Sequence, residues 1–251
     1  MGAGRYRFWF LWLALGVFST NCGTSPAEAR RREKPARFFE AALDGAPDNL
    51  VWLAADGKKL SGRLGVGPDV SSAEELRVKG SFQKGQISAR VKNALGGREG
   101  SLTGAAAGGS LAGSYVDADD LETPFEGTEA AAEPTAMSEL AGTYRAEDGE
   151  VSLKLSLTAR GGLTLTARAN VGFSRVKLGT IKGKWLADTA GHVWLLITSV
   201  KTSNVPGVPV NALPKEGLVE KADYSLSGGV LTLTDPFDPE KVLYRVELAA
   251  H

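Results

Sequence analysis

The feature that most constrains this chain is a short alternation of apolar and polar residues that recurs between glycines. In Val151 to Leu157 the apolar Val151, Leu153, Leu155 and Leu157 share one phase, while Ser152, Lys154, Ser156 and Thr158 take the other. That period of two belongs to a strand with one face in a core and one face in water. Gly161 and Gly162 then return the chain as LTLTARA, and Gly228 and Gly229 do the same before VLTLT, because glycine supplies the positive φ that a tight hairpin turn requires. Helical periodicity is almost absent.

Carried along the second half of the chain, the pattern predicts strands at Ala141 to Ala146, Val151 to Leu157, the LTLTARA segment, Lys177 to Asp188, His192 to Lys201, Lys221 to Ser227, VLTLT and Val242 to Leu248. The first half reads the same way from FFEAALDG through Leu50 to Ala55, Lys59 to Val66, Glu75 to Phe82, Gln86 to Asn93, Arg98 to Ala106, Ser110 to Val116 and TPFEG. Phe38, Phe39, Ala42 and Leu43 also suit a short helical stripe, and the strand is taken here. Eight short sequential strands in each half imply an all-β chain of two tandem antiparallel meander barrels, since closure removes exposed edges. The expected divisions are a signal peptide at 1–21, a disordered tether at 22–36, a first barrel at 37–128, an Ala/Glu/Pro-rich linker at 129–137 and a second barrel at 138–251.

The N-terminus carries a different message. Arg5 and Arg7 precede the apolar run Phe8 to Phe18, which gives way to Ser19, Thr20 and Asn21 and then to Cys22, the only cysteine. Charged, apolar, then small is the order of an export signal, and the run falls short of the roughly 20 residues of a membrane-spanning helix. Cleavage after the small-x-small site at Ala27 to Ala29 would discard Cys22 with the signal; retention of Cys22 would make it the first residue of the mature chain. From there the sequence holds 27 basic and 29 acidic residues once Arg5 and Arg7 are removed, a net of about −2, so nothing in it seeks nucleic acid. The one basic cluster, Ala29 to Lys34, reads as part of a solvated tether.

A search for chemistry finds little. Only His192 and His251 could serve as an imidazole base, one expected as a turn-exposed side chain at a strand start and one at the terminus. No thiolate site is available beyond Cys22, so no metal and no cofactor are expected. The DADDLE segment at Asp117 to Glu122 lacks the glycine-turn spacing of a calcium loop and reads as an acidic turn. GTIKGK at Gly179 to Lys184 lacks the spacing of a phosphate loop. The Ser174/Lys177 and Lys201 to Ser203 pair lies on strands too close together for penicillin-recognising chemistry.

What remains is binding. An eight-stranded barrel either fills itself with side chains or holds one small ligand. Tyr144, Trp185, Tyr224 and Tyr244 fall on inward phases of the second barrel, and the long segment Lys201 to Glu220 carries three prolines with Val205, Val208, Val210 and Leu213. Prolines keep that segment out of a strand ladder, so these eight residues are the candidates for contact with a small apolar ligand or a protein partner.

Three resemblances extend this reading. The apolar run ending at Cys22 resembles a bacterial lipoprotein signal, which implies a lipid on Cys22, anchorage in a membrane and, with Gly23 following, delivery to the outer membrane of a cell envelope facing the periplasm or the surface. The segments ADGKKLSGRL, VKGSFQKGQI, EGSLTGAAAGGSLAGSY and Pro124-Phe125 resemble a glycine-rich β-meander repeat of bacterial secreted proteins. LAGTYRA from Leu140, ADYSLSGGVLTLTD and YRVEL resemble the lipocalin-like domains of the calycin type. Together they imply an envelope binding or interaction protein without catalytic activity; the alternative is a barrel-type inhibitor of an envelope or host hydrolase.

Overall fold

A computed structural model describes residues 35–68, 75–93, 97–148, 151–171, 174–202 and 215–249. The expected signal peptide, Cys22 and nearly all of the tether lie outside these residues. The first barrel comprises β1 (Arg37–Leu43), β2 (Ala46–Asp56), β3 (Lys59–Val66), β4 (Leu76–Gln83), β5 (Gln86–Lys92), β6 (Arg98–Ala107), β7 (Ser110–Asp117) and β8 (Glu122–Glu129). A short helix, α1 (Pro134–Leu140), leads into β9 (Gly142–Asp148), β10 (Val151–Leu157), β11 (Gly162–Val171), β12 (Ser174–Ala187), β13 (His192–Thr202), β14 (Val219–Ser227), β15 (Val230–Asp235) and β16 (Asp238–Leu248). Each set of eight strands pairs in chain order and closes on itself, β8 on β1 and β16 on β9. The chain is therefore two closed antiparallel eight-stranded barrels in tandem, as the alternation predicts. The ambiguous FFEAAL segment is strand β1, because closure needs a partner for both β2 and β8.

The first barrel is packed around one apolar cluster. Phe39, Ala41 and Leu43, Val51 and Leu53, Leu60 and Leu64, Val78, Phe82, Val91, Leu102, Leu111 and Phe125 are buried in one cluster. Its repeated glycines are needed for close approach rather than for turns alone. Gly104 and Gly113 lie directly opposite each other on β6 and β7, and a Cβ on Gly113 would sit 2.6 Å from Cζ of Phe125, one on Gly104 3.1 Å from it. The Phe125 ring occupies the room that two absent side chains leave, which is how a narrow barrel reaches interior packing density. At one end Arg37 lies over the rings of Phe39 and Phe82, 5.2 and 5.0 Å from their centroids. Its guanidinium forms a forked pair with both carboxylate oxygens of Glu129 on β8, which closes that end.

Of residues 129–137, expected to be a linker, Glu129 ends β8 and the Ala130 N–H donates to Phe38 of the first barrel, while the stretch from Ala132 is tied to the second. Ala132 bridges Asp188, and the backbone N–H of Glu133 donates to Ala187. Glu133 then caps α1 by accepting from the Thr135 N–H, with Pro134 in the first turn, and Ala136, Met137 and Leu140 are buried. The Ala/Glu/Pro composition that suggested a solvated linker serves equally as a capped single-sided helix, too short for its period to stand out. Among the described residues no helix is long and apolar enough to cross a membrane.

The barrels share a core. Phe38, Trp52, Ala54 and Val66, on the outer wall of the first barrel, belong to one apolar cluster with Met137, Leu140, Trp185, Trp194 and Val219 of the second. Trp52 stacks on Phe237, with centroids 5.8 Å apart and planes 3° from parallel, and meets Trp194 edge-on at 6.0 Å. Phe38 lies 5.9 Å from Trp194. Charges frame these rings: Glu40 accepts from Trp52 Nε1 at 3.0 Å and from Lys221 Nζ at 2.8 Å, and Arg63 pairs with Glu75 and, at 2.6 Å, with Glu220. Trp52→Ala is expected to cost about 3 to 5 kcal/mol, and to resolve a single calorimetric unfolding transition into two, because it empties the shared core without touching either barrel's interior.

Candidate functional site

The register of the second barrel separates two regions of its interior. Gly142, Leu157, Leu163 and Gly183 pair in sequence across β9 to β12, as do Tyr144, Leu155, Leu165 and Ile181. All eight share the inner face, since directly paired residues and their second neighbours point the same way. At the end next to α1 the interior is closed, with Met137, Leu140, Tyr144, Leu157, Leu163, Trp185, Ala187 and Val193 all buried. Towards the other end, inward Leu153, Leu155, Leu165 and Val200 are only half-buried, while Ile181, Ile197 and Leu218 form a small buried floor beside Leu165 and Val200. In the first barrel Leu76 and Tyr115 are the half-buried apolar residues packed against the core.

The four inward aromatics expected as ligand contacts are divided by this geometry. Tyr144 is 1% exposed and its hydroxyl donates to the Leu140 carbonyl at 2.8 Å, satisfying an otherwise unpaired C=O at the end of α1. Burial raises its pKa above that of an ordinary tyrosine. Trp185 is equally buried, with Nε1 donating to the Thr158 carbonyl at 3.0 Å. Both are core residues of the closed end. Tyr224 is half-buried in the wall, and its pKa is raised first by burial and then by the charges of Glu139, Asp188 and Glu133. Tyr244 pairs with Leu233 on β15; its side chain lies outside the described residues, as do Val205, Val208, Val210 and Leu213. The described end of their segment turns against the first barrel, where a Cβ on Gly217 would meet Ser61 Oγ at 3.2 Å. The half-buried leucines were present in the alternation, but their difference from Leu157 and Leu163 depends on how far each lies from α1, which local sequence does not record.

A second cluster sits where β12 turns into β13. One oxygen of Asp188 accepts from the backbone N–H groups of Ala190 and His192, each at 2.9 Å. The other accepts from Trp194 Nε1 at 2.8 Å and faces His192 Nδ1 at 3.2 Å. His192 Nε2 lies 3.4 Å from Asp223, so both ring nitrogens of the histidine are directed at carboxylates. Because Trp194 also packs on Phe38 and Trp52, Asp188 fixes one of the rings on which the barrels meet. The sequence expectation of a turn-exposed His192 missed this, since the two aspartates are four residues before it and on another strand. Among the described residues no group of three or more His, Cys, Asp or Glu side chains is placed to hold a metal. In the acidic turn, Asp117 accepts from the Asp119 and Leu121 N–H groups.

Burial pushes the Asp188 carboxyl upward, but the N–H of His192, the indole of Trp194 and the charge of His192 outweigh it, and the net pKa is below the ordinary 3.8. A depressed carboxylate stabilises the fold above its unfolded value and loses that contribution as pH falls through its folded value. Asp188→Asn is therefore expected to cost about 1 to 3 kcal/mol at neutral pH. The deficit should shrink below about pH 4, as read by urea melts of both proteins across that range.

No protein-family model matches the chain, and a comparison with curated proteins finds no similar sequence.

Proposed function

We propose that this is an exported, lipid-anchored cell-envelope protein that binds a small apolar ligand in the second barrel and performs no catalysis. The observation that carries the reading is the paired, half-buried Leu155 and Leu165 on the inner face of a barrel whose other end is sealed by α1, Tyr144 and Trp185. A lumen lined by apolar side chains and open at one end is the usual form of a small-molecule site. His192, the one histidine among the described residues, directs both nitrogens at aspartates, which favours a structural imidazole over a general base.

The anchor rests on sequence: Arg5 and Arg7, the apolar run and Cys22 have the order of a lipoprotein signal. Labelled fatty acid is expected to enter the wild type and not Cys22→Ser; equal labelling of the two removes the anchor.

The ligand reading is tested with a fluorescent long-chain fatty acid analogue titrated into the Cys22→Ser protein. Saturable binding is expected, and Leu165→Arg should weaken it at least tenfold while the far-UV melt stays within a few degrees of the parent, because a half-buried arginine can carry its head out of the lumen. Absence of saturable uptake, or unchanged uptake by the arginine variant, counts against this site.

A further inference from the structure

The outer wall of the first barrel carries a charge arrangement at the margin of the shared core, where Gly217 lies against Ser61 and Lys79. Arg77 on β4 lies directly opposite Lys92 on β5, and two residues along, Lys79 lies directly opposite Arg90. Like charges facing each other across adjacent strands are destabilising, yet the pairing occurs twice in succession. Lys79, Arg90 and Lys92 are exposed and Arg77 is half-buried. Among the described residues none of the four is paired with a carboxylate, whereas the neighbouring Arg63 is held by Glu75 and Glu220. Lys59, opposite Ser81, extends the row on β3.

Acidic side chains also flank this row: Glu75, just before β4, pairs with Arg63, Glu99 on β6 accepts from Asn93, and Asp56 on β2 lies opposite Lys59; others lie across the barrel. Glu122 and Glu126 are exposed on β8, and Asp117, Asp119 and Asp120 lie at the turn before it. Strands β4 and β5 themselves carry no acidic residue, which concentrates a positive potential along them.

We propose that this wall is a binding track for an anionic glycan, a linear polysaccharide bearing carboxylate or sulfate groups. Two rows of cations along two adjacent strands, about 5 Å apart across the pair and about 7 Å apart along it, match charges repeated along a polymer. The residues between and beside them choose the partner. Ser81, Ser88, Ser101 and Thr103 share registers with the cations across β4 to β6, so the track interleaves positive charge with hydroxyls that hydrogen-bond to sugars. A bilayer surface would instead select apolar or aromatic side chains able to enter the interface, and this stretch of wall presents none. The ligand also relieves the repulsion that the bare wall stores, since each bound anion lies between two facing cations.

The test uses the full chain with Cys22→Ser, size-defined heparin oligosaccharides as the glycan probe, and vesicles of anionic phospholipid as the competing surface. Saturable binding of the oligosaccharide at low salt is expected, weakening steeply as salt rises, with no retention on the vesicles. The Lys79→Ser/Arg90→Ser variant is expected to bind at least tenfold more weakly and to melt at the same temperature as the parent or higher, because the substitution removes a repulsive pair. A purely structural role for these cations predicts the opposite shift in melting temperature. Failure of the parent to bind heparin, equal binding by the variant, a lowered melting temperature, or binding to vesicles alone would each overturn the proposal.

Discussion

The architecture depends on the indole of Trp52. It is a strand residue on the outer face of a barrel, a position that ordinarily faces water, and it is nevertheless 2% exposed. Phe237 lies flat on it, Trp194 meets its edge, Arg63 sits 5.7 Å from its centroid and Glu40 accepts its N–H. Glu40, Trp52 and Arg63 are successive cross-strand neighbours on β1, β2 and β3, so one row of the first barrel supplies an anion, a large apolar plate and a cation. The second barrel answers with Lys221 for the anion, Glu220 for the cation and Trp194 with Phe237 for the plate. Apolar burial supplies the attraction, and the flanking ion pairs fix the orientation, since a rotation that kept the rings together would strand charges in a partly buried seam.

That seam explains the arrangement around His192. Trp194 must hold one rotamer to receive both Phe38 and Trp52, and its N–H is fixed by an aspartate from the preceding turn. Asp188 gathers four donors, two from its own turn and two from β13 side chains. A residue that looks like one corner of a catalytic relay is here the brace of an interface, and the chemistry that would make it reactive is directed at Trp194.

The fold was legible because the signals for it are local. Alternation in Val151 to Leu157, and paired glycines such as Gly228 and Gly229, whose φ values are +57° and +81°, are read from a few consecutive residues, and closure follows from the number of strands and the need to hide their edges. The docking of the barrels was not legible. Phe38 and Trp52 occupy outward phases, and nothing near them in sequence names Trp194 or Phe237 as their covering. Helix α1 was hidden for another reason, since seven residues give a helical period too few turns to register. Of the candidate site, the inward phase of Tyr144 and Trp185 was readable, but their use as the plug of one end depends on α1, so the half-open leucines further along emerged only with the fold.

The two barrels close unequally. Among the described residues, strands β1 and β8 pair through five residues, from Phe39 with Glu129 to Leu43 with Phe125, whereas β9 and β16 pair through two, Arg145 with Glu247 and Tyr144 with Leu248, with one more backbone bond from Ala249 to Thr143. In a meander every other pairing joins neighbours in the chain, so the closing pair carries nearly all the loop-closure entropy and is the last to become favourable. The second barrel therefore has a short zipper where the first has a long one. Its hydrogen bonds are the natural starting point of sub-global opening, which would part the wall beside Tyr144 without separating the two barrels.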